Sequence, residues 1–575
     1  MQFSFVNDER ANLLLCEFES EMDRKTQDMK CFLSLVRVKQ LPDLILSVTL
    51  GAVVTLQGLI EFSGDVYQKL LPDTFRNFRI SDIFVFLLAT LCFYLFIIFI
   101  RNVCGRLHIV SENDEAKEMS FIKKFVLWCA LTMAVAIWSF FYLSMSYPGS
   151  VLEDSMSSLE QSMGYMGYSN HHPIAFTLFV QLFLKLGLRI HDDMSFGIAV
   201  VSCAQIMIIA GIQGYFMLWL KLKNVKNFYI ALVYLFYVHN ALLPTYAFTM
   251  WKDPLFSVFL FAYVLHLYDI FSSKGEILKH PFFVIRYFFL LISVAFFRNN
   301  AIYVAVVTTI ILLIYYRKRV VFSCIGLIGV VACLMVQNPV YHHLGLKTYA
   351  QEKIGIPMQQ VAYVLANDNE VTDAEVFDAM LPLSEWKESY TPFIADSIKW
   401  NEKFDTPYIN DNLSLFIKAW LHNLPNHFGD YVKAYMMETY GFWSLGTWDD
   451  YCYCQNEITA NLFDLSQRDL LFRFTGLDLS RLNARTGRFC NGTLFWTMIL
   501  TMYLVANSSK KNNAMCLLPM LLTWGTFMIA TPVAFSLRYM LAFVYALPLF
   551  CYMIWEACSK NNAELRLQEV IKTQN

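Results

Sequence analysis

The sequence predicts an all-α, polytopic membrane protein: about twelve spans, one re-entrant or interfacial helix, and a mostly helical external domain. Three observations lead there. The 575-residue chain is 57% hydrophobic and only 16% charged, far from a soluble composition. Apolar runs recur at residues 43–60, 82–100, 125–146, 195–219, 228–243, 254–271, 282–297, 301–316, 320–337, 494–508, 514–531 and 535–556. Between the ninth and tenth runs lies a mixed, Trp-containing stretch of about 155 residues, enough for a soluble domain.

Basic clusters decide the span count. They stand before the first run (Arg24, Lys25, Lys30, Arg37, Lys39), between runs two and three (Arg101, Arg106, Lys123, Lys124), and in KLKNVK (221–226), YYRKR (315–319) and SSKKNN (508–513). All of them fall on the cytoplasmic side only if a further apolar run, 173–188, does not cross. That run is short, holds Gln181 and Lys185, and opens with Pro173 in its first turn, as a re-entrant or interfacial helix would. Both termini are then cytoplasmic, in a multi-pass protein of the cell membrane whose large domain is extracytoplasmic. No basic n-region followed by an apolar h-region opens the chain, so the first span is expected to direct its own insertion.

The expected organisation is a cytoplasmic segment 1–40, a first transmembrane domain 41–337 with an external loop 147–194, an external domain 338–493, C-terminal helices 494–556 and a cytoplasmic tail 557–575. The external domain carries Trp386, Trp420, Trp443 and Trp448, reads as helices broken at Pro425, and shows neither convincing strands nor a repeat. Most of the fourteen cysteines lie in apolar runs and read as small buried hydrophobes. Cys452 and Cys454 lack zinc-knuckle spacing, and Cys490 leaves room for one disulfide.

The polar residues gather at one face. The stretch YPGSVLEDSMSSLEQSMGYMGYSNHHP (147–173) directly follows a span. Its Asp154 can act as a general base or bind a divalent cation, because either role needs an ionised oxygen; a solvated loop charge is the plainer alternative. Gln161, His171 and His172 accompany it. Adjacent histidines point apart, which disfavours one metal held by both; Asp154 with His171 remains open as a place for Mg or Mn. A helix starting at His-His-Pro suits an anionic group, with Asn170 placed to cap it.

Trp251-Lys252-Asp253-Pro254 opens another span from the outer side. Lys252 suits snorkelling and Asp253 an N-cap; alternatively, Asp253 faces Asp154 across an outward cavity. Arg298-Asn299-Asn300 interrupts an apolar stretch, and an arginine at membrane depth calls for an anion or an acidic partner. Arg538 begins the last span after Thr531-Pro532. Both arginines have the forked donors that hold a phosphate, while snorkelling is the other reading of Arg538.

In this order, YPG (147–149), Asp154, Gln161, HHP (171–173) with Thr177, KDP (252–254), RNN (298–300), IPMQQ (356–360) and SLRY (536–539) resemble the GT-C superfamily of polytopic glycosyltransferases, in particular a bacterial branch of it. The resemblance covers most of the membrane portion and the start of the external domain. It implies a GT-C-like bundle, a polyprenyl-phosphate-linked sugar donor delivered by the bilayer, and a glycan, lipid or protein acceptor in cell-envelope synthesis. Asp154 and Asp253 take the catalytic places. Lys252, Arg298 and Arg538 correspond to the groups on the lipid phosphate, and His171 or His172 would position the phosphate or a cation. Gln161, Asn299, Gln359, Gln360 and Tyr539 stand in the matched motifs as substrate contacts, with Gln359 and Gln360 returning to the cavity rim. Two departures are visible: two spans precede the one leading into the acidic loop, and that loop reads Glu153-Asp154 where relatives have Asp-Glu.

Other readings stay open. A transporter or lipid flippase is also polytopic, but tends to show related halves and helices interrupted at the midplane; here no repeat is visible. A polymerase or ligase with a diphosphate-linked donor is not separated from the monophosphate reading. A scaffold presenting the external domain has no need of Arg298 at membrane depth. Net charge of −2 argues against nucleic acid.

Overall fold

A computed structural model describes residues 41–64, 70–111, 119–317, 320–336, 341–343, 349–446, 456–459, 462–476, 489–530 and 533–574. The N-terminal segment 1–40 with its basic cluster, Trp448, Cys452, Cys454, Thr531 and Pro532 lie outside the described residues.

The chain forms two units. Among the described residues the smaller combines 41–59 with 77–101, and so pairs the Leu41–Gln57 helix with most of the Ile80–Arg106 helix. Inside it Arg101 Nη2 donates to the buried Asp43 at 2.7 Å. Gly51 faces Thr90, where a Cβ would lie 2.2 Å from the hydroxyl oxygen; these two helices touch through a residue without a side chain.

The larger unit holds the rest, with a main apolar core in its membrane helices and a second in the external domain. Its centre is the Lys252–Ser272 helix, buried on nearly every face. A helix that is apolar all round belongs inside a bundle, which is where this one lies. At its far end Asp269 accepts from Lys223 Nζ at 2.8 Å and from Trp219 Nε1. Glu556 there accepts from Tyr268 Oη at 2.6 Å and Lys510 Nζ at 2.5 Å. These bonds join four parts of the chain.

This is a helical, multi-pass membrane protein. Among the described residues six helices are long and apolar enough to cross a bilayer, or seven if Asn227–His239 and Leu242–Phe248, bent by 60°, form one span. The other apolar runs fold into shorter helices of 10–17 residues, such as Ala301–Tyr315 and Asn491–Ala506. At 1.5 Å per residue these are shorter than roughly 30 Å of hydrocarbon, and the six or seven long helices are the spans that length and composition support. The run at 173–188 becomes the Ile174–Ile190 helix. It turns at His191–Asp193 and packs back on the start of Met194–Leu222, with a Cβ on Gly187 only 2.7 Å from Gly197 Cα. Leu178, Leu182, Leu186 and Ile190 are exposed along its other side.

The external domain has its own core of Met358, Phe377, Trp386, Ile398 and Phe416, carried mainly by Gly355–Ala366 and the long Thr406–Glu438 helix. The break expected at Pro425 is a kink with non-helical backbone at His427, and a second kink falls at Asn412. A two-stranded antiparallel hairpin, Ile60–Gly64 with Leu70–Phe75, departs from the all-α expectation, though it lies outside 338–493. It packs on this domain, with the Phe62 ring edge-on to Tyr440 at 5.1 Å. Cys490 is buried at the start of the Asn491–Ala506 helix.

Candidate functional site

The acidic loop is held from three sides. On one, Ser202 Oγ donates to Pro148 O at 3.0 Å, and Gln205 Nε2 fixes the neighbouring segment by donating to Thr249 O at 2.7 Å, Thr249 being bridged to Ser150 of the loop. On the second, Met250 N–H donates to Ser150 O at 3.0 Å. On the third, the tail of the external domain clamps the loop: Tyr147 and Arg468 exchange both backbone bonds, at 3.1 and 2.8 Å, and Val151 N–H donates to Glu457 O at 3.0 Å. Gly149 has φ +132°, and a Cβ there would stand 2.4 Å from Ser202 Oγ. Only glycine suits both the dihedral and the space.

This clamp delivers the Glu153–Met163 helix with Asp154 in its first turn, where the partial positive charge of the helix start favours a carboxylate. Ser155 fixes the start: its hydroxyl accepts from Leu152 N–H at 3.3 Å and donates to Met250 O at 2.5 Å.

Asp154, His171, His172, Lys252, Arg298, Asn299, Arg538 and Tyr539 converge on one cavity of about 410 Å³. Arg538 Nη1 donates to Asp154 Oδ2 at 2.8 Å and Nη2 to Tyr539 Oη at 2.6 Å. Its guanidinium lies 4.8 Å from the ring centroids of both Trp251 and Tyr539. Lys252 Nζ is 3.9 Å from Asp154 Oδ2 and donates to His172 Nδ1 at 2.9 Å, which assigns His172 as neutral with its proton on Nε2. Burial alone would raise the Asp154 carboxyl, but Arg538 and Lys252 outweigh it and hold it well below the usual carboxylate range. Burial first, then Lys252, pushes both imidazoles below their ordinary value. Asp154 keeps 32% of its side chain exposed, so the ion pair is open to a ligand.

Asp253 is not where the sequence suggested. It is neither an N-cap, since Trp251 takes that place, nor a second acid facing Asp154 across the cavity. At 1% exposure it lies behind the wall and accepts from Arg298 Nη1. Arg298 thereby has the acidic partner its depth required, and its guanidinium stacks on Phe527 at 4.5 Å and Tyr539 at 5.1 Å. Asn170 does not cap the next helix, which starts at Ile174 without a side-chain cap; instead its carbonyl accepts from Asn299 Nδ2 at 2.8 Å.

Three expected contacts lie elsewhere. Gln161 staples its own loop, donating to Ser157 Oγ at 3.1 Å and accepting from Ser169 N–H at 3.1 Å. Gln359 donates to Thr391 O at 2.7 Å and Gln360 to Tyr431 O at 3.0 Å, both buried within the external domain rather than at the rim. That domain reaches the cavity through Tyr349, Glu352, Lys353, Asp396, Lys399 and Trp400, which no motif signalled. The opposite wall is apolar, from Ile302, Tyr303, Leu334, Phe527 and Ala530.

Asp154 and His171 do not by themselves form a closed ligand set for Mg or Mn. Among the described residues no three His, Cys, Asp or Glu side chains converge as a ligand set, and Asp154 is already engaged by two cations. A dication beside Arg538 and Lys252 would meet like charge.

Residues 164–568 match a family described as a family of unknown function, DUF6020. The chain belongs to that family. The matched region contains every cavity residue except Asp154. No curated protein and no solved structure matches the chain.

Proposed function

We propose that this DUF6020 member is a membrane glycosyltransferase of GT-C type, moving a sugar from a polyprenyl-phosphate donor to an acceptor on the outer face of the membrane. One observation carries the reading: a ligand-sized cavity has a carboxylate between two cations on one wall and apolar side chains of the Ala301–Tyr315, Val320–Met335 and Leu518–Ala530 helices on the other. A lipid phosphate needs that pairing, with cations for its head and an apolar path for its tail.

In this mechanism the donor phosphate takes the forked donors of Arg538 and the ammonium of Lys252. Both then release Asp154, whose proton affinity rises toward an ordinary carboxylate as its countercharges are shared. Asp154 accepts the acceptor hydroxyl proton as that oxygen attacks the anomeric carbon. The bond from the anomeric carbon to the phosphate oxygen breaks with inversion, and the electron pair leaves on the phosphate. Asp253 is a positioning residue that holds Arg298 toward the cavity. The order of the GT-C-like motifs supports the donor class, and the membrane-embedded bundle with its large non-membrane domain is compatible with it.

The test is sugar transfer, or donor hydrolysis without acceptor, from polyprenyl-phosphate sugars in proteoliposomes. Release of polyprenyl phosphate that depends on Asp154 is expected; no turnover of any such donor by the folded protein would remove the reading.

A further inference from the structure

The external-domain wall of the cavity has a chemistry different from the membrane wall, and we propose that it is a saccharide-binding subsite, selecting a glycan acceptor over a lipid or protein one. This rests on the transferase reading for its role as acceptor site, but the binding chemistry stands on the wall itself.

The wall is built around Lys399, 3% exposed. Its stem crosses the start of the Gly355–Ala366 helix, where a Cβ on Gly355 would come within 3.2 Å of Lys399 Cε. Its ammonium lies 3.2 Å from Asp396 Oδ1 and 3.9 Å from Glu352 Oε2. One buried cation therefore tethers two half-exposed carboxylates at the cavity surface. Each keeps an acceptor oxygen for a ligand, and carboxylates so placed take hydroxyl donors well.

Beside them stand two aromatic rings, Tyr349 and Trp400, 6.0 Å apart and tilted by 59°. Trp400 is 47% exposed. His171 meets both edge-on at 5.5 Å, tying the platform to the loop that carries Asp154. Asn170 Oδ1 and His171 Nδ1, at the same junction, are buried and lack a hydrogen-bond partner among the described residues.

A pyranose presents an apolar C–H face and a rim of hydroxyls. It fits a surface that joins exposed aromatic faces to tethered carboxylates. An acyl chain finds no use for Glu352 and Asp396 there. A basic peptide would be repelled by Lys353 and by the cations Lys252, Arg298 and Arg538 that line the same cavity.

The test uses the full chain in nanodiscs and a panel of free di- and trisaccharides of glucose, galactose, mannose, rhamnose and N-acetylhexosamines, read by saturation-transfer NMR and titration. At least one saccharide is expected to bind the native chain, and about tenfold more weakly to Trp400→Ala and to Glu352→Gln. Glu352 is at the surface, so its variant keeps the test alive if Trp400→Ala fails to fold. Donor hydrolysis without acceptor is measured on the same native preparation. Saccharide binding without donor hydrolysis would sink the transferase reading and leave the saccharide site. Unchanged affinity in both variants, or no binding by the native chain, would overturn the site, whatever the donor assay shows.

Discussion

Arg538 reaches back 384 residues to donate to Asp154 at 2.8 Å. This single bond joins the start of the last membrane helix to the loop after the Phe121–Met145 helix. It also sets the charge state of the carboxylate on which the proposed chemistry depends, and the predictions below begin there.

Asp154→Asn keeps the size of the side chain and removes its charge. Transfer from a polyprenyl-phosphate sugar is expected to fall to background, with expression unchanged, in reconstituted membranes. Near-native transfer would take Asp154 out of the catalytic role. Arg538→Lys should cost about 10- to 100-fold, because a lysine cannot keep both forked bonds and the stack on Trp251 and Tyr539.

Removing one partner of the buried Arg298–Asp253 pair is expected to cost about 3–5 kcal/mol, since it leaves an uncompensated charge. Asp253→Asn should therefore lower the yield of folded protein in detergent. The double change Asp253→Leu with Arg298→Met should restore yield but not transfer. Equal recovery of both would mean that Arg298 has no part in binding the donor.

Two groups give opposite pH signatures. Burial pushes Glu438 up to about 8 against the opposing pull of Lys399, and neither of its oxygens has a hydrogen-bond partner among the described residues. A raised carboxyl is protonated in the folded state and ionised when unfolded, so stability is lost as pH rises from about 4 to about 8. Glu438→Gln should be more stable by roughly 2–4 kcal/mol at neutral pH, with a Tm gain that shrinks towards pH 5. His172 acts the other way. Its folded form resists protonation, so stability is lost as pH falls below about 6.5. The difference in Tm between the native chain and His172→Gln should therefore open on acidification; a flat difference would refute the neutral assignment.

Gly149→Ala places a Cβ against Ser202 Oγ at a φ of +132°. A loss of about 1–3 kcal/mol is expected, seen as faster thermal inactivation and as proteolysis in the 147–152 loop. Serine at position 202 replaced by glycine should recover part of it by opening the space.

Ile190 ends the Ile174–Ile190 helix and is exposed. If that helix stays on the outer side, Ile190→Cys should react with a membrane-impermeant thiol reagent applied from outside. Labelling only from the cytoplasmic side would restore a crossing at 173–188 and reverse the orientation of everything after it.

Much of the site was legible because its parts violate local expectation. Asp154, His171, His172, Lys252, Arg298 and Arg538 are charged or polar groups at the ends of apolar runs, and such groups need a partner or a ligand. The pairing was not legible. Asp253 adjoins Lys252, yet the turn of the helix sends one side chain to Arg298 behind the wall and the other to His172 and Asp154. Gln359 and Gln360 looked like substrate contacts, but their amides complete hydrogen bonds inside the external domain. Trp400, Glu352 and Lys399 sit in unremarkable stretches, and only the docking of that domain brings them to the cavity.

Taken alone, the sequence determined that this is a multi-pass helical membrane protein with a large non-membrane domain, because hydropathy and run length are local properties of the chain. It also marked the face where polar residues collect. The tertiary structure decided which acid meets which base: Arg538 on Asp154, Arg298 on Asp253. Those choices depend on contacts between residues hundreds of positions apart, set by helix packing and by the clamp on Tyr147–Val151, and no spacing rule along the chain encodes them.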